Sequence, residues 1–306
     1  MSLRPPPADR SPAELLSFGV VNLDKPPGPS SHEVADWTRD LVADALADTD
    51  RTVDRVAHAG TLDPKVTGSL PLLLGRATRL AQVFDDSQKE YIAVLECHGP
   101  LPSDFEATLS AFEGNLYQKP PRKSAVKRQL RVRHVDEISV LDRGDRRLLV
   151  RVRCEAGTYI RKLCHDIGLA LGTGAHMGDL RRSATGTFDD TGLVTMEDLT
   201  DALAFWTEDG DDGPLREIVA PAERALAPLG RVTIAPSAAR EVAEGAPVYA
   251  PGVIGTEPAK RAETPPTEGD LVACYTPDDA AVCLGRLVGD PAAASGTVVD
   301  LERVLV

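Results

Sequence analysis

The chain has 306 residues, 42% of them apolar, and its formal net charge at pH 7 is -13. This size suits one large domain with a smaller one, and no stretch approaches the roughly 20 consecutive apolar residues that a membrane-spanning helix needs. Residues 1–16 are rich in proline and lack an apolar secretory core, so we expect a flexible N-terminal segment on a soluble, cytoplasmic protein. The five cysteines form no Cys-x-x-Cys pair, which favours buried free thiols over disulfides or a metal site.

An acidic chain would repel nucleic acid if its charge were evenly spread. The basic residues are 26 Arg and 8 Lys, and an acidic, lysine-poor composition is typical of proteins that work in concentrated salt, which screens self-repulsion. The charge is uneven, because residues 119–133 hold seven basic residues and no acidic one. This basic segment, which includes Lys127 and Arg128, is a candidate surface for phosphate contacts. A solvated loop is the alternative interpretation, and the two are compatible.

The first predicted elements are a strand over residues 19–24 and a helix that follows a Pro/Gly-rich turn. Ser30 and Glu33 stand three positions apart just before a helical pattern of apolar residues, which is the signature of a capping box. Trp37 is one of the apolar residues that follow this helical spacing, so we expect it on the packed face.

Three further elements are predicted in the middle of the chain. Residues 91–97 and 147–155 have the composition and alternation of strands, and the second strand displays arginines on its outer face, which are either solvated or part of an RNA track. Residues 159–171 repeat apolar side chains at helical spacing. Arg161 falls at the edge of that apolar stripe, where a cation is well placed to meet a carboxylate.

The last third of the chain has a different composition. Residues 189–217 carry ten acidic residues and one basic residue, which predicts a solvated region of loops and helix. From about residue 231, short β-like pieces alternate with Gly, Pro and Asp turns, a pattern that predicts a β-barrel of about 75 residues.

The most informative segment is residues 57–79, which read AHAGTLDPKVTGSLPLLLGRATR. Asp63 stands at the tip of a loop rich in Gly, Pro and Thr, between apolar segments. A carboxylate displayed in this way suits a nucleophile or a base, but Asp-Pro is also a common turn dipeptide that merely caps a loop. On these residues alone the turn interpretation is favoured.

The wider string, His-x-Gly-Thr-Leu-Asp-Pro followed by Gly-x-x-x-Leu and Gly-x-Ala-Thr, resembles the signature of the TruB/dyskerin family of pseudouridine synthases. It spans more than twenty residues at fixed spacing, so it is more specific than a four-letter pattern. The string VNLDKPPGPSS resembles the family's first motif, whose match to Lys25 and Pro26 implies that these residues shape the turn and brace the loop. From residue 230 onward the order of turn and core positions resembles a PUA module, which binds structured RNA.

The resemblance covers nearly the whole chain and implies an α+β fold. A pseudouridine synthase catalytic domain with a mixed, largely antiparallel sheet is expected over residues 17–229, and a PUA β-barrel over residues 230–306. The segments VNLDKPPGPSSHEV, GTGAHMGDLRRS and FWTEDG are closer to the archaeal and eukaryotic dyskerin-type enzymes than to the bacterial tRNA enzyme.

The resemblance also assigns roles to single residues. In the family, the aspartate matching Asp63 is the catalytic nucleophile, the arginine matching Arg161 forms an ion pair with it, and the tyrosine matching Tyr91 stacks on the target base. His58 is expected either beside the position that the flipped base vacates or as a loop histidine bonded to backbone. The residues expected to bind the substrate are His58, Leu180, Lys89, Lys127 and Arg128.

The predicted function is therefore the isomerisation of specific uridines in RNA to pseudouridine, with no cofactor and no metal. The resemblance implies the catalytic subunit of an archaeal H/ACA ribonucleoprotein that acts on rRNA and also on tRNA, with a guide RNA and small H/ACA partner proteins. A stand-alone tRNA T-loop pseudouridine synthase is the alternative. A non-catalytic RNA-binding scaffold would have no use for an aspartate–arginine pair, and a glycosidase would need a second supported carboxylate.

Overall fold

The computed structural model describes residues 3–120, 127–260 and 264–306, and within these ranges the chain forms two β-sheets with helices packed on them. The helices are α1 (Pro12–Ser17), α2 (Ser31–Ala45), α3 (Phe105–Ser110), α4 (Ile160–Ala170), α5 (Met196–Ala204), α6 (Gly213–Ile218) and α7 (Pro236–Ala243). The strands are β1 (Gly19–Lys25), β2 (Val56–His58), β3 (Thr67–Leu74), β4 (Lys89–Cys97), β5 (Gly114–Gln118), β6 (Arg131–Arg143), β7 (Arg147–Cys154), β8 (Ala175–Thr185), β9 (Phe188–Asp189), β10 (Val219–Pro221), β11 (Gly230–Ile234), β12 (Val248–Tyr249), β13 (Val253–Glu257), β14 (Leu271–Tyr275), β15 (Ala281–Leu287) and β16 (Thr297–Val304).

The larger sheet has the strand order β10-β1-β3-β8-β4-β7-β6-β5, with β2 paired to β3 and β9 paired to β8. Its strand pairings are antiparallel apart from β3 with β8, which run parallel. This mixed, largely antiparallel sheet confirms the predicted α+β class. Among the helices of the described ranges, none combines the length and the apolarity that crossing a bilayer requires.

The parallel pair of β3 and β8 joins the two halves of this sheet. Gly68 lies opposite Arg182 at this junction and has φ of +97°. A Cβ at Gly68 would lie 2.2 Å from the Arg182 carbonyl oxygen, so the close approach of the strands requires glycine. Each half has its own hydrophobic core, and Tyr91 and Leu180 contact both cores. The junction is therefore a seam at which side chains of both halves meet.

Helix α2 begins at the capping box that the sequence predicts. The Ser30 hydroxyl accepts a hydrogen bond from the Glu33 amide at 3.2 Å, and the Glu33 carboxylate accepts one from the Ser30 amide at 2.8 Å. Val34 and Val42 are buried in the core that also holds side chains of β1 and β3. Trp37 differs from expectation, because it is 48% exposed and lines a surface groove instead of packing inward.

The smaller sheet has the strand order β12-β16-β15-β14-β11-β13, with β11 and β14 parallel and the other pairings antiparallel. The β-like pieces predicted after residue 231 all appear as strands of this sheet. The five cysteines are buried and free, as their spacing predicts.

The two sheets share a hydrophobic core. It contains Phe18 and Leu73 from the first part of the chain together with Leu284 and Leu305 from the second. Cutting the chain between the two parts would expose this shared core to water, so the second part is better tested by point variants than by deletion.

The N-terminal residues also pack on this junction, although the sequence predicts a flexible segment. Arg10 is 1% exposed, and its guanidinium donates two hydrogen bonds to the Glu223 carboxylate, at 2.8 and 2.6 Å. Glu223 Oε1 also accepts a hydrogen bond from the Ala281 amide of β15 at 3.1 Å. A buried, bidentate ion pair thus ties the N-terminal segment to both parts of the protein.

We predict that Arg10→Met lowers the free energy of unfolding by about 3–5 kcal/mol, because it leaves the largely buried Glu223 carboxylate without its partner. Urea unfolding at fixed KCl concentration measures the change. Arg39→Met is the matched control, since Arg39 pairs with Asp36 in solvent and its loss should be nearly neutral. Equal effects of the two substitutions would contradict a structural role for the buried pair.

Candidate active site

Asp63 lies on the loop between β2 and β3, and its side chain is 59% exposed. The loop turns tightly after it, since the Val66 amide donates a hydrogen bond to the Asp63 carbonyl at 2.9 Å. Gly60 enters the loop with φ of +101°, a conformation that favours glycine. The carboxylate is therefore displayed to solvent on a short, turn-rich loop, as the sequence predicts.

Arg161 meets Asp63, although 98 positions separate them in the sequence. It is the second residue of α4, and its Nη2 donates a hydrogen bond to Asp63 Oδ2. The Arg161 side chain is 56% exposed, so a nucleotide can reach both partners. An exposed ion pair contributes little to stability, and its importance lies in fixing where the carboxylate points.

Lys25 supports this loop from below. The residue is 0% exposed, and its ammonium donates hydrogen bonds to the carbonyl oxygens of Pro26, Pro64 and Val66 at 2.9, 2.9 and 3.0 Å. Burial lowers the pKa of Lys25, and the charge of Asp63 opposes that shift. The three carbonyls use all three donors of the ammonium, so Lys25 has the bracing role that was expected of it.

Ser31 fixes the residue before Asp63. Its buried hydroxyl accepts a hydrogen bond from the Leu62 amide at 2.8 Å and donates one to the Leu62 carbonyl at 3.1 Å. The start of α2 is thus attached directly to the Asp63 loop. Sequence reasoning missed Ser31, because the capping residue Ser30 next to it accounts for a serine at a helix start.

Arg182 fixes the start of the Asp63 loop, and the sequence did not predict this role either. It is 1% exposed, and it donates hydrogen bonds to the Ser69 carbonyl at 2.8 Å and to the Gly60 carbonyl at 3.1 Å. Its guanidinium also lies close enough to the Tyr91 hydroxyl for each group to shift the pKa of the other. Burial lowers the pKa of Arg182, whereas Tyr91 raises it. One signal was present in the sequence, since Arg182 shares the face of its strand with the apolar Leu180.

Tyr91 and Leu180 lie on one face of the sheet, on neighbouring strands. Tyr91 of β4 pairs with Arg182 of β8, and Ala93 pairs with Leu180, so the two side chains are diagonal neighbours. Both are half-buried, and burial raises the pKa of the Tyr91 hydroxyl. Because Arg182 lies close to Tyr91 and bonds the Gly60 carbonyl, this aromatic and apolar wall adjoins the Asp63 loop.

His58 is the last residue of β2, just before the loop. Its two ring nitrogens are buried and have no hydrogen-bond partner among the described residues. The His32 ring packs edge-on against it, with 4.8 Å between ring centroids. Burial, followed by the charges of His32 and Arg182, lowers the pKa of His58. A neutral imidazole with unused nitrogens suits a contact with a polar ligand, and its role in substrate binding stays a prediction.

Lys89 is placed differently from an ordinary phosphate-binding lysine. It is 5% exposed, and its ammonium donates hydrogen bonds to Ser87 Oγ at 2.6 Å and to the Phe84 carbonyl at 3.2 Å. Its side chain lies near Gly60 and Arg182. The ammonium therefore faces the protein interior beside the Asp63 loop, and its predicted contact with RNA stays a prediction.

Lys127 and Arg128 lie on exposed irregular chain, where Arg128 Nε donates a hydrogen bond to the Pro120 carbonyl at 3.1 Å. Residues 121–126, which complete the middle of the basic segment, lie outside the described residues. The predicted phosphate contacts of this segment therefore stay predictions.

The arginines on the outer face of β7 are not free cations. They form ion pairs with carboxylates of the neighbouring strands β4 and β6, at 3.2 to 3.8 Å. The pairs are Arg147 with Glu96, Arg151 with Glu90, and Arg153 with Glu137. This pairing favours the interpretation of a solvated sheet face over that of an RNA track.

We predict that Lys89 makes the stability depend on pH in a definite direction. Burial lowers its pKa from 10.5 to about 7. Between these values the unfolded chain binds more protons than the folded one, so the free energy of unfolding rises as the pH increases from about 7 towards about 10. Lys89→Met should remove this contribution, as measured by urea unfolding across that range.

Lys65→Met is the control for this prediction, because Lys65 is exposed on the Asp63 loop. It should leave the pH profile of the wild-type protein unchanged. Parallel profiles for the wild type and Lys89→Met would show that Lys89 keeps its proton throughout the range.

Models of known families match four segments of the chain. The model of the TruB family pseudouridylate synthase (N terminal domain) matches residues 50–101, and that of the tRNA pseudouridylate synthase B C-terminal domain matches residues 161–227. The DKCLD (NUC011) domain matches residues 5–35, and the PUA domain matches residues 230–304. The matched segments include both partners of the Asp63–Arg161 pair and the smaller sheet.

Curated relatives match over most of their length. A probable tRNA pseudouridine synthase B of Haloarcula marismortui is 65% identical over 306 residues, which cover 100% of this chain and 94% of the relative. The protein of the same name from Methanothermobacter thermautotrophicus is 43% identical, with 98% and 89% covered.

Solved structures agree with this similarity. A chain of a Cbf5-Nop10-Gar1 complex has a TM-score of 0.88 and 42% identity, with 100% of this chain and 90% of that chain covered. A chain of an H/ACA RNP bound to a substrate RNA containing 2′-deoxyuridine has a TM-score of 0.87 and 39% identity, with 99% and 90% covered. Sequence, domain order and fold therefore agree, and the chain belongs to the TruB family as a pseudouridine synthase, an RNA isomerase, with a C-terminal PUA domain.

Proposed function

We propose that Asp63 is the carboxylate that carries out the isomerisation of uridine and that Arg161 directs it. The ion pair between these two exposed side chains is the observation that carries the proposal. Such a pair is worth little as a stabilising contact, yet three buried groups hold the loop that presents it. Three buried side chains thus fix the position of one exposed carboxylate, and a chemical role of that carboxylate explains why.

The reaction keeps all atoms of the nucleoside except for protons that exchange with water. The bond between N1 and C1′ breaks, a bond between C5 and C1′ forms, the proton on C5 is lost and N1 takes up a proton. No electron acceptor or donor is consumed. Attack at C6, attack at C1′ and removal of a ribose proton all use a carboxylate, and Asp63 is the residue to which we assign that role.

Tyr91 and Leu180 supply the pocket for the detached base. The half-buried tyrosine ring and leucine side chain are diagonal neighbours on one face of the sheet, and stacking against them compensates for the few kcal/mol that extrusion of a base from its helix costs. We also assign to His58, at the loop entrance, a contact with the nucleotide, which requires its buried and unpartnered ring nitrogens to become accessible when RNA binds. These roles were predicted from the sequence, and the positions of the side chains support them.

We further infer that the chain acts as the catalytic subunit of an archaeal H/ACA ribonucleoprotein, in which a guide RNA selects uridines in rRNA and also in tRNA. The similarity to a chain of a Cbf5-Nop10-Gar1 complex and to a chain of an archaeal box H/ACA sRNP Nop10-Cbf5 complex supports this proposal, since it covers 100% and 98% of this chain. The similarity to a chain of an H/ACA RNP with bound substrate RNA supports it further.

A groove beside the active site suits a small partner protein. It runs between α2 and α5 as two adjoining cavities of about 690 and 450 Å³, which share Leu41 and Asp44. Trp37 and Trp206 contribute aromatic surface to it, and Trp37 is 48% exposed. Its acidic residues are Asp24, Asp40, Asp44, Asp48, Glu197 and Glu208, of which Asp24 forms an ion pair with Arg181 of the same wall. An apolar groove with acidic edges favours a partner that carries basic and apolar side chains.

A stand-alone tRNA pseudouridine synthase is the second candidate function. The names of the curated relatives, which refer to tRNA, favour it. The two candidates share the active site and differ in what selects the uridine, so substrate dependence separates them.

We predict that Asp63→Asn reduces pseudouridine formation to less than about a thousandth of the wild-type rate, because the amide has no anionic oxygen. Its affinity for RNA should be nearly unchanged, since the exposed loop and its buried supports remain. Carbodiimide-adduct mapping measures the product, and filter binding measures the affinity.

Asp36→Asn is the matched control, because Asp36 is also an exposed carboxylate paired with an arginine, on the surface of α2. It should retain wild-type turnover. Turnover by Asp63→Asn at a rate close to that of this control would show that another group is the nucleophile.

We predict that the purified chain modifies an rRNA target only when a guide RNA and the small partner proteins are added. Guide pairing presents the uridine in an unpaired pocket, which lowers the cost of flipping the base. The same carbodiimide mapping, on rRNA and on bare tRNA with and without guide, measures this dependence. Efficient modification of bare tRNA by the chain alone would contradict the ribonucleoprotein assignment and support the stand-alone enzyme.

A further inference from the structure

A second cavity lies at the end of the β2–β3 hairpin opposite the Asp63 loop. It has a volume of about 690 Å³, and its wall is formed by N-terminal residues, by the residues that precede β2, by the residues that follow β3 and by Val306. Strand β3 has eight residues, so its two ends are about 25 Å apart. The cavity is therefore separate from the candidate active site.

The cavity is lined by four arginines, which are Arg4, Arg51, Arg55 and Arg76. The charge of Arg51 is matched, because it pairs with Glu14 at 2.9 Å and lies 3.7 Å from Asp50. The other three arginines form no ion pair within 4 Å in the part of the chain that the structure describes. The carboxylate side chains of the wall are those of Glu14, Asp50 and Asp54, so four arginines face three carboxylates and the net charge of these side chains is +1.

Arg4 has an unused donor in this wall. Its guanidinium lies 3.6 Å from the centre of the Phe18 ring, and Nη2 donates a hydrogen bond to the Leu305 carbonyl at 2.6 Å. Nη1 is buried and has no hydrogen-bond partner among the described residues. Burial and the nearby charges of Arg10, Arg76 and Arg51 lower the pKa of Arg4 to about 9. A buried guanidinium nitrogen without an acceptor is costly, and that cost would be removed if the Arg4 side chain turned this nitrogen towards an anion in the cavity that it lines.

We propose that this cavity binds phosphate groups. Guanidinium groups present paired donors that match phosphate oxygens, and unlike lysines they keep their charge when they are partly buried. The volume is within the range of roughly 300–1,000 Å³ that small-molecule sites occupy, which is more than one phosphate needs. The ligand is therefore an oligophosphate or consecutive phosphates of an RNA strand. The proposal does not depend on the role of Asp63, because binding is measured without turnover.

The first test is calorimetric titration of the full chain with tripolyphosphate at constant ionic strength. We expect saturable binding at one site, and we expect Arg55→Gln/Arg76→Gln to weaken it by about tenfold or more, because two charge-assisted contacts are lost. Arg55 and Arg76 are exposed, so this variant should fold. Arg146→Gln is the control, since Arg146 is an exposed arginine that does not line the cavity and should leave the affinity within about twofold. Absence of saturable binding, or an equal loss in the control, would overturn the proposal.

The second test distinguishes the two sources of phosphate. If the ligand is RNA, Arg55→Gln/Arg76→Gln should reduce the salt dependence of RNA binding by about one to two released counterions, and tripolyphosphate should compete with the RNA. If the ligand is a free oligophosphate, RNA binding by the variant should depend on salt as it does in the wild type. The affinity of the variant for tripolyphosphate should still be reduced. An RNA salt dependence and a tripolyphosphate affinity both equal to those of the wild type would show that these arginines bind no phosphate.

Discussion

The candidate active site depends on buried hydrogen-bond donors that hold the backbone of one exposed loop. Lys25 contributes an ammonium that is fully buried and fully used by three carbonyls, two of them in the loop itself. Ser31 and Arg182 fix the loop at Leu62 and at Gly60. Because a buried charge without acceptors is strongly destabilising, the loop cannot move without leaving these donors unsatisfied. The position of the Asp63 carboxylate therefore follows from the stability of the groups beneath it.

These donors also determine the local electrostatics. Lys25, Lys89 and Arg182 are buried around the loop, and within the described ranges none of them forms an ion pair with a carboxylate. Their donors face carbonyl and hydroxyl oxygens, so the charges of Lys25 and Arg182 make the region beneath Asp63 positive in a chain whose net charge is -13. Low-dielectric surroundings strengthen such fields, which favours an anionic side chain and attracts phosphates. An acidic protein can thus have a site suited to RNA.

The sequence predicted the elements that are determined by patterns among neighbouring residues. The capping box at Ser30, the alternation of β7 and the helical stripe around Arg161 follow from neighbouring residues, and the resemblance to a known family added the pairing of Arg161 with Asp63. The sequence did not reveal the roles of Ser31 and Arg182. Their roles arise from contacts between residues that are 31 and 122 positions apart, and such contacts leave no periodic signal.

Two further differences from prediction also depend on how segments that are distant in the sequence pack together. Trp37 satisfies the helical pattern but faces a groove, because the neighbouring helix does not cover that flank. The N-terminal segment is polar and rich in proline, which favours flexibility, yet Arg10 is buried because Glu223 offers a bidentate partner. A composition argument cannot anticipate a partner that is more than two hundred positions away.

The most direct test of the account is a structure of the Asp63→Asn protein bound to guide and target RNA. The account predicts that the target uracil is flipped out and stacked against Tyr91. It also predicts that the side chain at position 63 lies within hydrogen-bond distance, about 3 Å, of the uridine. A target uridine that remains stacked in its RNA helix, or one that binds away from the loop held by Lys25, Ser31 and Arg182, would contradict it.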